Sequence, residues 1–156
     1  ALGTGEEEYA SAPRFLEEAL GKTDRFQVRV RPHPNLPELE LPTLPFYSIS
    51  TGPLADDLQW ADAILYASST VSKEAITLGI PAIFLDFGSF LNTDPMFGWD
   101  EFKWPVNEPS ELIEAIQDIE SLPKEKFQDL QQKCRDYVFS YLKPPTPSNK
   151  QLFWEA

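Results

Sequence analysis

The chain has 156 residues, of which 42% are hydrophobic and 13% aromatic, so it suits one domain with a buried core rather than a disordered chain. Its formal net charge of −12 repels nucleic acid and argues against a nucleic-acid-binding protein. Cys134 is the only cysteine, which excludes an internal disulfide and a cysteine metal cluster. No apolar run reaches membrane-spanning length, and no signal peptide is recognisable.

The first residues look like the end of a strand at Ala1-Leu2 that enters a tight turn at Gly3-Thr4-Gly5. A natural protein rarely starts inside a strand, so we expect that the sequence is a fragment of a longer chain. Further on, Ser11 has the residue type of a helix N-cap, Pro13 suits a first turn, and Gly21 follows the apolar stripe. This pattern predicts a first helix between Ser11 and Gly21.

The rest of the chain alternates between predicted strands and helices. Strict polar–apolar alternation predicts a strand at 26–31, ended by Pro32 and Pro34 and followed by a proline-rich loop at 35–45. The later predicted elements are strand 46–50, helix 54–60, strand 63–67, helix 70–78 closed by Gly79, strand 81–86, a polar loop at 87–101, strand 102–106, and helices 109–119 and 124–142. The long polar loop is a candidate binding loop.

This order of elements predicts an α/β fold with a Rossmann-like parallel sheet of about six strands and helices on both faces. The count includes the truncated first strand. We expect the domain to cover 1–143 and an extended tail to cover 144–156. For the strand order 3-2-1-4-5-6, the loops after strands one, two and four meet at one crevice, where ligands bind.

The loops at that crevice carry candidate phosphate-binding residues: Gly3, Thr4 and Gly5 after strand one, and Ser68, Ser69 and Thr70 after strand four. The helix that starts near Thr70 directs free N–H groups and the positive end of its dipole at the crevice, and the hydroxyls add donors. The alternative is that Ser69 only caps the helix.

Glu74 lies one helical turn later. A capping box would need a hydroxyl at position 71, which is Val71, so the carboxylate has another role. It can accept two hydrogen bonds from the vicinal hydroxyls of a ribose. The alternative is a solvated carboxylate, paired with Lys73 or Arg29.

Arg31 and His33 follow strand two. The imidazole of His33, held between two prolines, can donate to a phosphate oxygen, and Arg31 at the end of the strand can reach the same phosphate. The alternatives are a loop histidine that bonds to backbone and a solvated arginine.

Several patterns are missing. The sequence has no Walker motif, no G-x-G-x-x-G, no paired histidines and no G-x-S-x-G elbow. With one histidine and one cysteine, we expect neither a metal site nor a bound cofactor. The pair Asp56-Asp57 is predicted to supply negative charge at a helix start rather than to bind a metal.

The stretch RPHP at 31–34, followed by ADAILYASSTVSKEAITLGIPAIFL at 61–85, resembles the carboxyl-terminal, donor-binding half of GT-B glycosyltransferases. The His-Pro and Ser-Ser/Thr motifs are most similar to bacterial capsule and surface-polysaccharide enzymes. The spacing S-T-x-x-x-E-A-x-x-x-G-x-P is also similar to the N-acetylglucosaminyltransferase of cell-wall synthesis and to nonhydrolysing sugar-nucleotide 2-epimerases. The resemblance covers roughly 26–119.

The resemblance implies a metal-independent transferase with a nucleotide-sugar as substrate, in the cytoplasm or at the inner membrane face. It assigns His33 and the Ser68, Ser69 and Thr70 hydroxyls to phosphate, Glu74 to ribose, and Asn92 and Asp94 to possible sugar contacts. The catalytic base and acceptor site would come from an amino-terminal partner domain that this chain lacks, so the catalytic residues stay unassigned and the fragment alone is expected to be inactive.

Two alternatives of other kinds remain. One is an epimerase or hydrolase of the same architecture, which would need its own acid and base in the cleft. The other is a docking module without catalysis, in which the tail with Phe153-Trp154 contacts a partner domain.

Overall fold

Ten helices and strands are defined in the computed structural model, which describes residues 6–33, 45–88 and 92–142. In chain order they are α1 (Glu6–Leu20), β1 (Val28–Val30), β2 (Tyr47–Ile49), α2 (Leu54–Trp60), β3 (Ile64–Tyr66), α3 (Val71–Thr77), β4 (Ala82–Leu85), β5 (Lys103–Val106), α4 (Pro109–Ser121) and α5 (Lys124–Tyr141). The predicted turn at Gly3-Thr4-Gly5 and the predicted tail at 144–156 lie outside these described residues.

All the strand pairs are parallel, which confirms the predicted α/β class. β1 pairs with β2, and β3, β4 and β5 form a second sheet in that order. The prediction of one sheet of about six strands is wrong for the described residues, which hold five strands in two small sheets. The predicted sheet needs a strand between β1 and β3, and the residues predicted to form it, Ala1-Leu2, lie outside the described ranges.

A cleft separates β1 from β3. It holds two cavities, of about 130 and 410 Å³, and residues of both strands line each of them. Val28 and Leu65 line both cavities, and Leu16 of α1 also lines the smaller one. The two sheets are therefore not joined through these edges in the described part of the chain.

Helices cover both faces of the β3-β4-β5 sheet. The side chains of β4 show this arrangement, because they alternate between the two faces of the sheet, as in any strand. Ala82 packs in a cluster with α3 and α5, whereas Ile83 and Leu85 pack in a second cluster with α1 and α4. The near-continuous apolar sequence of β4 follows from this burial on both sides.

Most element boundaries fall within two residues of the prediction, but α1 begins at Glu6 rather than near Ser11. Pro13 therefore lies inside the helix, where a proline removes a backbone hydrogen bond and costs about 3 kcal/mol. The buried side chains of Phe15, Leu16 and Leu20 offset this cost on the core side.

Gly79 ends α3 as predicted, with a φ of +82° that glycine adopts without strain. None of the helices in the described ranges is long and apolar enough to cross a membrane.

Candidate functional site

The segment after β1 and the start of α3 face one cavity. Arg31 directly follows β1, Val71 is the first residue of α3, and both line the smaller cavity of the cleft. His33, two residues beyond Arg31, is half-buried. Ser68, Ser69 and Thr70 are not among the residues that line this cavity, so the meeting of the polar segments after β1 and β3 stays a prediction.

The backbone at the start of α3 is only partly available to a ligand. The N–H of Ser72 donates to the carbonyl of Ser69 at 3.3 Å, and the N–H of Lys73 donates to the carbonyl of Thr70 at 3.0 Å. The hydroxyl oxygen of Ser69 accepts the N–H of Val71 at 3.4 Å. This contact is long for a hydrogen bond, and it is of the kind expected if Ser69 caps the helix. Two backbone donors of the first turn are thus taken by protein carbonyls.

The remaining donors lie just before the helix. Within the described residues, the backbone N–H groups of Ser68, Ser69 and Thr70 make no hydrogen bond to protein. Thr70 is exposed, occupies the N-cap position in an α-helical conformation and makes no side-chain cap. The backbone donors left open at this end of α3 are therefore those of this tripeptide rather than those of the first helical turn.

Glu74 and Thr70 open onto a groove of about 520 Å³ between α3 and the end of α5. Lys73 lines the same groove, and Leu78 and Leu142 give it an apolar end. Glu74 is exposed, and across the described ranges its carboxylate has no ion pair. The predicted alternative that Glu74 pairs with Arg29 is therefore wrong.

Arg29 and Arg31 bind instead to Asp57 of α2. The Nε of Arg31 donates to Oδ2 of Asp57 at 2.7 Å, and the Arg29 guanidinium approaches Oδ1 at 3.3 Å. Arg31 also donates to the hydroxyl of Ser50 and to the carbonyl of Gly52, at 3.2 and 2.5 Å. The alternative that Arg31 is solvated is therefore wrong. Its guanidinium already binds Asp57, Ser50 and Gly52, so only part of it could contact a phosphate.

Asp57 is the centre of this network, with a side chain only 16% exposed. Burial acts to raise the pKa of Asp57, but hydrogen bonds from Ser50, Arg31 and Arg29 and the charge of Arg31 outweigh burial and lower it. The Arg29 guanidinium also lies 4.1 Å from the ring centre of Trp60. Asp57 lies in the first turn of α2, as predicted, but the sequence did not predict its long-range arginine and serine partners.

Asp94, a predicted sugar contact, is 5% exposed and bonded to protein on both oxygens. Its Oδ1 accepts the hydroxyl of Tyr66 at 2.9 Å and the N–H of Met96 at 2.8 Å, and its Oδ2 accepts the ammonium of Lys103 at 2.9 Å. Asn92 is exposed, and its side-chain oxygen accepts the N–H of Asp94 at 3.0 Å. Of the two predicted sugar contacts, only Asn92 is open to a ligand.

Sequence reasoning missed Tyr66 and Lys103. Burial, together with the neighbouring Asp94 carboxylate, raises the pKa of Tyr66, so its hydroxyl stays a hydrogen-bond donor at neutral pH. The sequence did contain a signal for Lys103: it lies between two aromatic residues, Phe102 and Trp104, in a predicted strand. Such a lysine needs an acid partner once it is buried.

No group of three or more histidine, cysteine, aspartate or glutamate residues is placed to hold a metal ion in the described part of the chain. Comparisons with protein-family models, with curated proteins and with solved structures find no significant match to this chain. The resemblance to GT-B glycosyltransferases therefore rests on the sequence motifs.

Proposed function

We propose that this chain is the donor-binding domain of a glycosyltransferase that builds a bacterial surface polysaccharide. The observation that supports the proposal best is the groove between α3 and the end of α5, which Thr70 and Glu74 both line. This groove puts Thr70 beside Glu74, whose carboxylate has no ion pair among the residues that the structure describes. A nucleotide offers the matching groups, phosphate oxygens and a ribose diol.

Each group has a distinct role in this proposal. The free N–H groups and hydroxyls at 68–70 hold the phosphate, and Glu74 accepts hydrogen bonds from both ribose hydroxyls. His33 approaches the phosphate from the end of β1, while Arg31 holds β1 against α2 through Asp57. During transfer, the donors at 68–70 stabilise the charge that develops on the departing nucleotide.

The acceptor site and the catalytic base belong to an amino-terminal domain in this proposal, and transfer takes place in the cytoplasm. Half of an interdomain cleft leaves a nucleotide exposed to water, so the chain alone should bind weakly and not turn over.

Titration with UDP, CMP and GDP, followed by amide chemical shifts at Ser69 and Glu74, tests the proposal. We expect saturable shifts at millimolar concentration for at least one nucleotide. Glu74→Gln should weaken that binding by at least about tenfold, because hydrogen bonds to a charged group contribute about 1.5–3 kcal/mol and about 1.4 kcal/mol is a factor of ten. Glu114→Gln, an exposed change on α4, is the matched control and should leave affinity unchanged.

A deoxyribose analogue of the nucleotide that binds completes the design. Wild type should bind the analogue more weakly than the parent nucleotide, and Glu74→Gln should distinguish the two ligands less than wild type does. No shift with any of the three nucleotides would refute the proposal. An equal response of Glu74→Gln and wild type would refute the role of Glu74.

A further inference from the structure

A buried polar cluster joins the two loops that carry the candidate donor contacts. It consists of Tyr66, Asp94 and Lys103. Tyr66 is the last residue of β3, Asp94 lies in the turn between β4 and β5, and Lys103 is the first residue of β5. Tyr66 is 0% exposed and the Lys103 side chain 7%, so no member can touch a ligand in the groove.

Hydrogen bonds within the cluster are complete. Lys103 donates to Asp94 at 2.9 Å and to the carbonyl of Met96 at 3.0 Å, and its ammonium lies 3.3 Å from the carboxylate of Asp100. These three partners match the three N–H bonds of an ammonium group. Fully satisfied buried networks of this kind are rigid and fix the positions of the segments that they join.

The cluster lies close in sequence to both loops. Ser68 follows Tyr66 by two residues, and Asn92 precedes Asp94 by two residues and accepts its backbone N–H. The turn beyond Asp94 is itself held by hydrogen bonds from Phe97 and Trp99 to the carbonyls of Asp94 and Met96. Any shift of Asp94 relative to Tyr66 therefore moves one loop relative to the other.

We propose that Tyr66, Asp94 and Lys103 are positioning residues that hold the phosphate-binding segment 68–70 and the turn 92–99 in one fixed geometry. The identity of the ligand in this inference rests on the proposed function. The coupling between the segment 68–70 and the turn 92–99 rests on the cluster alone. In the donor complex, the cluster would set the distance between the phosphate contacts and Asn92.

Tyr66→Phe is the sharpest test, because it removes one hydroxyl and leaves the ring in place against Phe84, at 5.4 Å between ring centres. Asp94 keeps its bonds to Met96 and Lys103, so the variant should fold. Leu112→Ala is the destabilised control, since Leu112 is fully buried in the other core cluster, between α4 and the opposite sheet face.

The first measurement is amide hydrogen exchange without ligand. In Tyr66→Phe, we expect the backbone amide of Met96 in the turn to exchange about fivefold faster, which corresponds to the loss of one ordinary hydrogen bond. We expect the same increase at the amides of Ser72 and Lys73. The last two amides bond to the carbonyls of Ser69 and Thr70 and so report on that segment. Faster exchange at Met96 with Ser72 and Lys73 unchanged would overturn the coupling.

The second measurement is affinity for the nucleotide that wild type binds. Tyr66→Phe should weaken it by about fivefold, whereas Leu112→Ala, measured at a temperature where it is fully folded, should bind like wild type. Equal binding by Tyr66→Phe and wild type would overturn the positioning role even if exchange changes. Failure of wild type to bind any nucleotide would refute the proposed function, and the exchange measurement would still decide the coupling.

Discussion

Lys103→Met should be among the most destabilising single changes in the chain. It removes the ammonium from a pair in which both side chains are nearly inaccessible, and it leaves the Asp94 carboxylate buried with neutral donors only. Removing one partner of a buried ion pair costs about 3–5 kcal/mol, a large part of the 5–15 kcal/mol by which a typical domain is stable.

Lys133→Met is a matched control with the same change of side chain and charge. Lys133 also pairs with two carboxylates, those of Glu101 and Asp129, but its side chain is 47% exposed. Solvent and salt screen such a pair, so this variant should unfold close to wild type.

Urea unfolding at pH 7, followed by tryptophan fluorescence, measures both variants. The double variant Asp94→Asn, Lys103→Met should lose less stability than the two single changes added together, because no unpaired charge stays buried. The reasoning is refuted if Lys103→Met unfolds at the same urea concentration as Lys133→Met, or if the two cluster changes are additive.

Three further predictions concern the rest of the chain. The lowered pKa of Asp57 means that its stabilising contribution is present above its unfolded pKa and is lost as the pH falls through its folded value. Asp57→Asn should therefore flatten the fall of the melting temperature on acidification, whereas Asp56→Asn at the exposed neighbour should not. Gly79→Ala should lower the free energy of unfolding by about 1–2 kcal/mol, because its φ is +82° and a Cβ would collide with the side chain of Gln131 in α5. Gly98→Ala, where a Cβ meets open space, should unfold like wild type in the same urea titration. Burial raises the pKa of the Cys134 thiol to about 11, so this thiol should react with a disulfide reagent only as fast as the protein opens, and rapid reaction of the native protein would contradict its burial.

Local patterns predicted the helices and strands well because each has a periodic or continuous apolar signal. The run at 81–86 became β4, buried on both faces, and Pro109 at the start of an amphipathic stretch became the first residue of α4. The start of α1 was wrong because Pro13 is typical of a first helical turn, and tertiary burial of Phe15 outweighs that local preference.

The polar contacts were harder to predict, because their partners lie far apart in the sequence. Asp57 binds arginines 26 and 28 residues away, and Tyr66 binds an aspartate 28 residues away. A sequence pattern places Arg31 at the end of a strand, but only the packing of α2 brings Asp57 to it. The same limit applies to Asp94, whose loop position predicted a ligand contact although its oxygens are used by the protein.

The distribution of charge determines how the proposed site must work. The chain carries a net charge of −12, and two of its arginines near the cleft are bound to Asp57. In the proposed site, a nucleotide phosphate would meet a repulsive field; the local donors are those at 68–70, before a helix of two turns whose first amides are partly used, and Lys73 in the same groove. If the proposed function holds, tight binding would need further positive charge or dipoles from the proposed partner domain, so tight donor binding and domain closure would be coupled. That coupling would keep the donor from being hydrolysed before an acceptor is bound.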